Sequence, residues 1–114
     1  MSDYESFIAG KRRAEVATGH KPGDLNEHLF DFQHAIVEWA IRRGRAAIFA
    51  DTGLGKTLMQ LSWADEVAHN TGGIVLVLAP LAVSEQTIEQ GRTFGIEVSR
   101  VPQGGTPTGP GVWI

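Results

Sequence analysis

The chain has 114 residues, a formal net charge of −3, 42% hydrophobic residues and no cysteine. That length suits one small domain, and the absence of cysteine excludes a disulfide framework or a thiolate metal site. A weakly acidic balance gives no global attraction to nucleic acid, so any such contact must be local. There is no apolar run near the twenty or so residues of a membrane helix, so no membrane partner is expected. The opening Met-Ser-Asp-Tyr-Glu-Ser lacks the basic and apolar regions of a signal peptide, which points to the cytoplasm.

Residues 4–18 read as a helix. Tyr4, Phe7, Ile8 and Ala14 form its apolar stripe, and Lys11, Arg12 and Arg13 make either a solvated face or a phosphate contact. Gly19 is a helix stop, and Lys21-Pro22-Gly23-Asp24 is turn chemistry. Residues 1–26 are therefore expected to form an N-terminal helical extension, with the main lobe over 27–114. A second helix is expected over 31–43, with Asp31 as N-cap. Phe32, Ile36, Trp39 and Ala40 recur there at helical spacing, with Val37 beside them, and Gly44 ends it.

The run Arg45-Ala46-Ala47-Ile48-Phe49-Ala50 reads as a short buried strand. It leads into Ala50-Asp51-Thr52-Gly53-Leu54-Gly55-Lys56-Thr57, which fits the looser form of the P-loop pattern. Gly53 and Gly55 let the backbone approach a phosphate closely, and successive N–H groups form an anion nest. Lys56 supplies a point charge for β- and γ-phosphates, and the Thr57 hydroxyl is placed to ligate Mg²⁺. The following residues form a helix, with Leu58, Leu61, Ala64 and Ala68 on one face and Met59 and Val67 widening it. Strand, glycine loop and helix in that order make a phosphate site at a helix N-terminus.

Asn70-Thr71-Gly72-Gly73 is a turn. Ile74 to Ala79 is apolar without alternation, as expected for a parallel strand covered on both faces. Pro80 stops it. A third helix is expected over 81–93 with Ser84 as N-cap, then a weak strand over 95–99, a Gly/Pro-rich loop over 103–111 and another strand from Val112. This β-α-β-α-β alternation predicts an α/β fold with a doubly wound parallel sheet, and a phosphate site at the carboxyl end of its first strand.

Several of these motifs, taken in order, resemble one family. Leu29-Phe30-Asp31-Phe32-Gln33 resembles the Q motif of superfamily-two helicases, of the SWI/SNF-like and phage DEAD/DEAH types. Ala50 to Thr57 resembles their motif I, with Thr52 to Thr57 close to its usual wording, and Val75 to Leu81 resembles their motif Ia. The resemblance covers roughly residues 27–100. It implies a partial RecA-like P-loop lobe that binds ATP and Mg²⁺. In the full-length context it implies a nucleic-acid partner, DNA before RNA, and a second RecA-like lobe. Carried over by residue, Gln33 would hydrogen-bond the adenine edge and Phe30 or Phe32 would pack near the base. Asp51, Thr52, Gly53, Leu54, Gly55, Lys56 and Thr57 would hold phosphates and metal, with Lys56 and Thr57 as the catalytic residues. Pro80 and Leu81 would shape a turn near a nucleic-acid strand. Each has a plainer reading: Gln33 as a solvated helix residue, the phenylalanines as core, Pro80 as a strand stop.

The chain also departs from that pattern. Beyond Ile74 the acids are Glu85, Glu89 and Glu97, and none forms the Asp-Glu pair that the family uses for Mg²⁺ and the attacking water. The expectation is an N-terminal piece of a helicase that binds ATP without turning it over alone. The alternatives are a non-catalytic nucleotide- or partner-binding module and another small P-loop enzyme.

Overall fold

The computed structural model describes residues 17–49 and 55–114, in which two helices pack against one parallel three-stranded sheet and a third helix packs on one of them. The order is α1 (Asp31–Arg43), α2 (Lys56–Thr71), β1 (Ile74–Leu76), α3 (Leu81–Thr93), β2 (Val98–Ser99) and β3 (Gly111–Trp113). Both β1 and β2 run parallel to β3, which lies between them. The α/β class and the parallel sheet expected from the alternation are therefore present.

The main core lies on the face of the sheet that α2 covers. Leu61, Ala64 and Ala68 of α2 meet Val77, Ile96, Val98 and Val112. Burying each larger side chain here contributes roughly 1.5–3 kcal/mol. Gly91 of α3 lets that helix come close to the chain ahead of β2: a Cβ there would lie 2.7 Å from the Ile96 carbonyl oxygen and 3.0 Å from a Val98 methyl. A second cluster joins α1 to α2 through Val37, Ile41 and Met59, with Leu25 and Leu29 packed against it.

Several expectations are corrected. The stripe of α1 is rotated: Gln33, Val37, Ala40 and Ile41 are buried, whereas Phe32 and Trp39 stay about half exposed. The N-cap of α1 is Phe30 and that of α3 is Pro80, so neither Asp31 nor Ser84 caps a helix. Ser84 instead turns its hydroxyl back to the Pro80 carbonyl, 3.4 Å away. Residues 46–49 form no strand, and Phe49 is 97% exposed. Among the described residues no strand pairs with this run, so its backbone is not satisfied as a sheet would satisfy it. Ile74 to Leu78 does alternate: Val77 is buried and Val75 half-buried, while Ile74, Leu76 and Leu78 are exposed. Among the described residues, only one face of β1 is covered.

Most of the expected N-terminal helix lies outside the described residues, as do Lys11, Arg12 and Arg13. Its last two residues, Ala17 and Thr18, are not helical. They begin a run that caps α1, in which the N–H groups of Thr18, Gly19 and His20 donate to the carbonyls of Arg43, Arg42 and Ile41 at 2.9, 3.1 and 3.2 Å. These are carbonyls that a helix end otherwise leaves without partners. Gly19 is thus a point of close approach to α1, since a Cβ there would collide with the Ile41 carbonyl.

Candidate functional site

The N-terminus of α2 opens into a cleft of about 590 Å³. Gly55, Lys56, Thr57 and Leu58 form its floor, Phe30 and Gln33 at the start of α1 one wall, and Gln90, Thr93 and Phe94 at the end of α3 the other. His28 completes the rim. Five residues chosen from the sequence therefore meet in one place: Phe30, Gln33, Gly55, Lys56 and Thr57. Asp51, Thr52, Gly53 and Leu54 lie outside the described residues.

Gly55 caps α2 in the left-handed region, φ 72° and ψ 39°. That conformation is accessible to glycine at little cost. Lys56 is exposed and Thr57 half-buried on the first helical turn. Lys56 also borders an apolar hollow of about 340 Å³ between residues 46–48 and α2, lined by Ile48, Met59 and Trp63. Its aliphatic stem thus has apolar surface beside it, and its ammonium belongs with the polar cleft.

Gln33 is 4% exposed, so it is not a solvated helix residue. Its side-chain oxygen accepts a hydrogen bond from the Phe30 backbone N–H at 2.8 Å. This fixes the first turn of α1 and turns the carboxamide nitrogen toward Gly55, where it occupies the space of a Cβ. Phe30 is 70% exposed, Phe32 is also exposed, and their rings stack at 6.4 Å with an interplanar angle of 27°. Neither belongs to the core, which leaves Phe30 available as an apolar platform at the mouth of the cleft.

Sequence reasoning missed the far wall. Residues 23–28 are strapped across α2 and the end of α3. The Gly23 N–H donates to Glu66 Oε1 at 2.7 Å, and Asn26 Nδ2 donates to the Phe94 carbonyl at 2.8 Å. The His28 N–H donates to Asn26 Oδ1 at 2.9 Å, and the His28 ring tilts against Phe94 at 5.4 Å. An Asn bonding to the backbone two residues on is a local signal visible in Asn26-Glu27-His28. The long-range partner Phe94 has no such signal.

Among the described residues no carboxylate lines this cleft. Glu85 is paired with Arg100 and Glu89 with Arg92, both on the surface. The charged group contributed to the cleft is Lys56, beside the positive end of the α2 dipole, so the electrostatics suit an anion. Mg²⁺ fits only in part: the Thr57 hydroxyl can supply one oxygen, and the remaining oxygens of an octahedral shell would come from phosphates and water. Pro80 and Leu81 lie elsewhere, at the start of α3, where Leu81 is 80% exposed. They do not join the cleft. No family model, no curated protein and no solved structure matches the chain.

Proposed function

We propose that the chain is the ATP-binding part of a helicase- or translocase-type ATPase that acts on nucleic acid. The observation that carries this reading is the convergence of Phe30, Gln33, Gly55, Lys56 and Thr57 on one cleft at the N-terminus of a 16-residue helix. Lys56 and the backbone around Gly55 would hold phosphates, Thr57 would hold Mg²⁺, and Gln33 and Phe30 would hold the base. The Thr52–Thr57 wording and the placement of Pro80-Leu81 after a parallel strand support the helicase type. Polarisation of an attacking water needs a carboxylate or similar base, and the described walls of the cleft carry none. The chain alone therefore binds without appreciable turnover, since a missing general base costs about 10²–10⁴-fold.

Titration calorimetry with Mg·ATP tests this reading. The dissociation constant is expected between about 30 µM and about 1 mM. Lys56→Ala should weaken binding about tenfold or more, because a hydrogen bond to a charged group contributes about 1.5–3 kcal/mol. Equal affinity in wild type and Lys56→Ala would remove the phosphate site, and with it the proposed function.

A further inference from the structure

Granted the nucleotide site proposed above, we infer that Asn26 is a positioning residue for its nucleoside half, holding the two walls of the cleft at the spacing a nucleoside needs. The walls are the start of α1 and the end of α3, and among the described residues these two helices do not pack against each other. Each packs on α2 instead. Beyond that shared support, one side chain joins the walls. Asn26 Nδ2 donates to the Phe94 carbonyl at 2.8 Å, and Asn26 Oδ1 accepts from the His28 N–H at 2.9 Å. His28 Nδ1 lies 3.0 Å from the same oxygen, which can only accept, so the ring carries a proton on that nitrogen.

Both ends of the Asn26 carboxamide are fixed by backbone groups. Turned over, it would set its oxygen against the Phe94 carbonyl and its amino group against the His28 N–H, losing both bonds. Phe94 is the C-cap of α3, at a helix end that leaves carbonyls without intrahelical partners. Asn26 supplies such a partner from 68 positions away in sequence. Leu25 and Leu29, on either side of Asn26 in the chain, pack against Val37, Ile41 and Met59 of α1 and α2. Apolar contact therefore seats the strap on α1 and α2, and the Asn26–Phe94 bond carries it across to α3.

His28 and Phe94, the two residues that Asn26 holds, line the cleft beside Phe30 and Gln33. Asn26 thus acts through them. Phosphates would rest on the floor, Gly55 to Thr57, whose N–H groups belong to α2 and need no second wall. The nucleoside would stand between the walls. Without the Asn26–Phe94 bond the end of α3 is free to move away from His28 and Phe30. The nucleoside then loses part of its enclosure while the phosphates keep theirs. An Asn26 that served only the local turn would need its bond to the His28 N–H and nothing more. That role predicts no difference between the two halves of a nucleotide.

Binding measurements on the full 114-residue chain provide the test, with Mg·ATP and inorganic tripolyphosphate as the two probes. Asn26→Ala removes both bonds. Asn26→Asp keeps the acceptor for the His28 N–H, and with it the turn, but sets a carboxylate oxygen against the Phe94 carbonyl. Each variant should bind ATP about two- to tenfold more weakly, the effect of one hydrogen bond, and tripolyphosphate as wild type does. Circular dichroism checks that the variants fold, and Asn26→Asp carries the test should Asn26→Ala not fold. Glu66→Ala cuts the other tie of the strap, to the Gly23 N–H, away from the cleft. It should leave the ratio of the two affinities at the wild-type value. An equal loss for both probes, an Asn26→Asp variant with wild-type ATP affinity, or a Glu66→Ala ratio shifted like that of Asn26→Ala would each overturn the role of Asn26 and leave the nucleotide site standing. A wild type that binds neither probe would remove the site itself, and this role with it.

Discussion

The carboxamide nitrogen of Gln33 fills the space in which Gly55 would carry a Cβ. One residue begins α1 and the other begins α2, so this contact sets the spacing of two helix starts that share a cleft. It gives Gly55 two reasons to be glycine, its φ of 72° and the nitrogen against it. Alanine in the left-handed region costs roughly 1–2 kcal/mol. It would also displace Gln33 from the Phe30 N–H, a hydrogen bond contributing about 0.5–1.5 kcal/mol. Gly55→Ala is therefore expected to lower the melting temperature by several degrees, at about 4–8 °C per kcal/mol for a small domain. In the Gln33→Ala background the collision is absent and only the φ strain remains. The double variant should then lose less than the sum of the single losses. Additive losses would show that the two residues are not in contact in solution.

The same contact bears on base selectivity. A carboxamide oxygen has two lone pairs, and Gln33 uses one on the Phe30 N–H. On the proposed reading, that carboxamide oxygen accepts from the adenine N6 amino group. Guanine offers the acceptor O6 in that position, so the two oxygens would face each other. Such a match or mismatch amounts to about 1–3 kcal/mol. Wild type should prefer ATP over GTP in competition binding, and Gln33→Ala should bind both nearly alike. An unchanged preference in the variant would limit Gln33 to spacing α1 against α2.

Gly91 tests the packing of α3 against the chain ahead of β2. Alanine is the better helix former by about 1 kcal/mol. Here, however, its Cβ would lie 2.7 Å from a backbone oxygen, that of Ile96, and 3.0 Å from Val98 Cγ2. A backbone atom cannot step aside as a flexible side-chain end can, and overpacking costs typically 1–3 kcal/mol. The unfavourable term is the larger one. Gly91→Ala should therefore lower the urea midpoint, with the m-value unchanged. A raised midpoint would mean that α3 stands further from Ile96 than described.

The helix over 31–43, the loop over 103–111 and the buried face of α2 were legible because each rests on local chemistry: Gly44 after a basic last turn, dense Gly and Pro, and the spacing of Leu58, Leu61, Ala64 and Ala68. The two strand misses depended on neighbours. The run after Arg45 has strand composition, but composition cannot supply a strand to pair with. The continuous apolar run Ile74–Ala79 implied two covered faces, yet among the described residues only one cover is present. In the cleft, Gln33 and Lys56 were singled out by the specific chemistry of their side chains. Gln90, Thr93 and Phe94 were not, since a bond such as Asn26 to Phe94 spans 68 positions and leaves no local trace.

His69 gives the chain a titratable contact in the last turn of α2. Its Nδ1 lies 2.8 Å from the Asp65 carbonyl oxygen and 3.3 Å from Asp65 Oδ1. The hydrogen bond to that carbonyl, and then the attraction of the Asp65 carboxylate, hold the imidazole above its ordinary value of 6.5, with Glu66 adding in the same direction. Asp65 is itself raised above 3.8, chiefly by burial, against the opposing pull of His69. A histidine raised in the folded state favours the fold while protonated. Its contribution is complete below 6.5 and is lost as the pH rises through the folded value. The Asp65 shift has the same sign but acts in the acidic range above 3.8, so near neutrality His69 governs. Because His69 is largely exposed, solvent screens the interaction and the effect is small. At low salt the melting temperature should fall between about pH 6 and about pH 8, and His69→Gln should flatten that slope. Added salt should flatten it in wild type too, since exposed charges are screened. An identical slope in His69→Gln would assign the pH dependence to other groups.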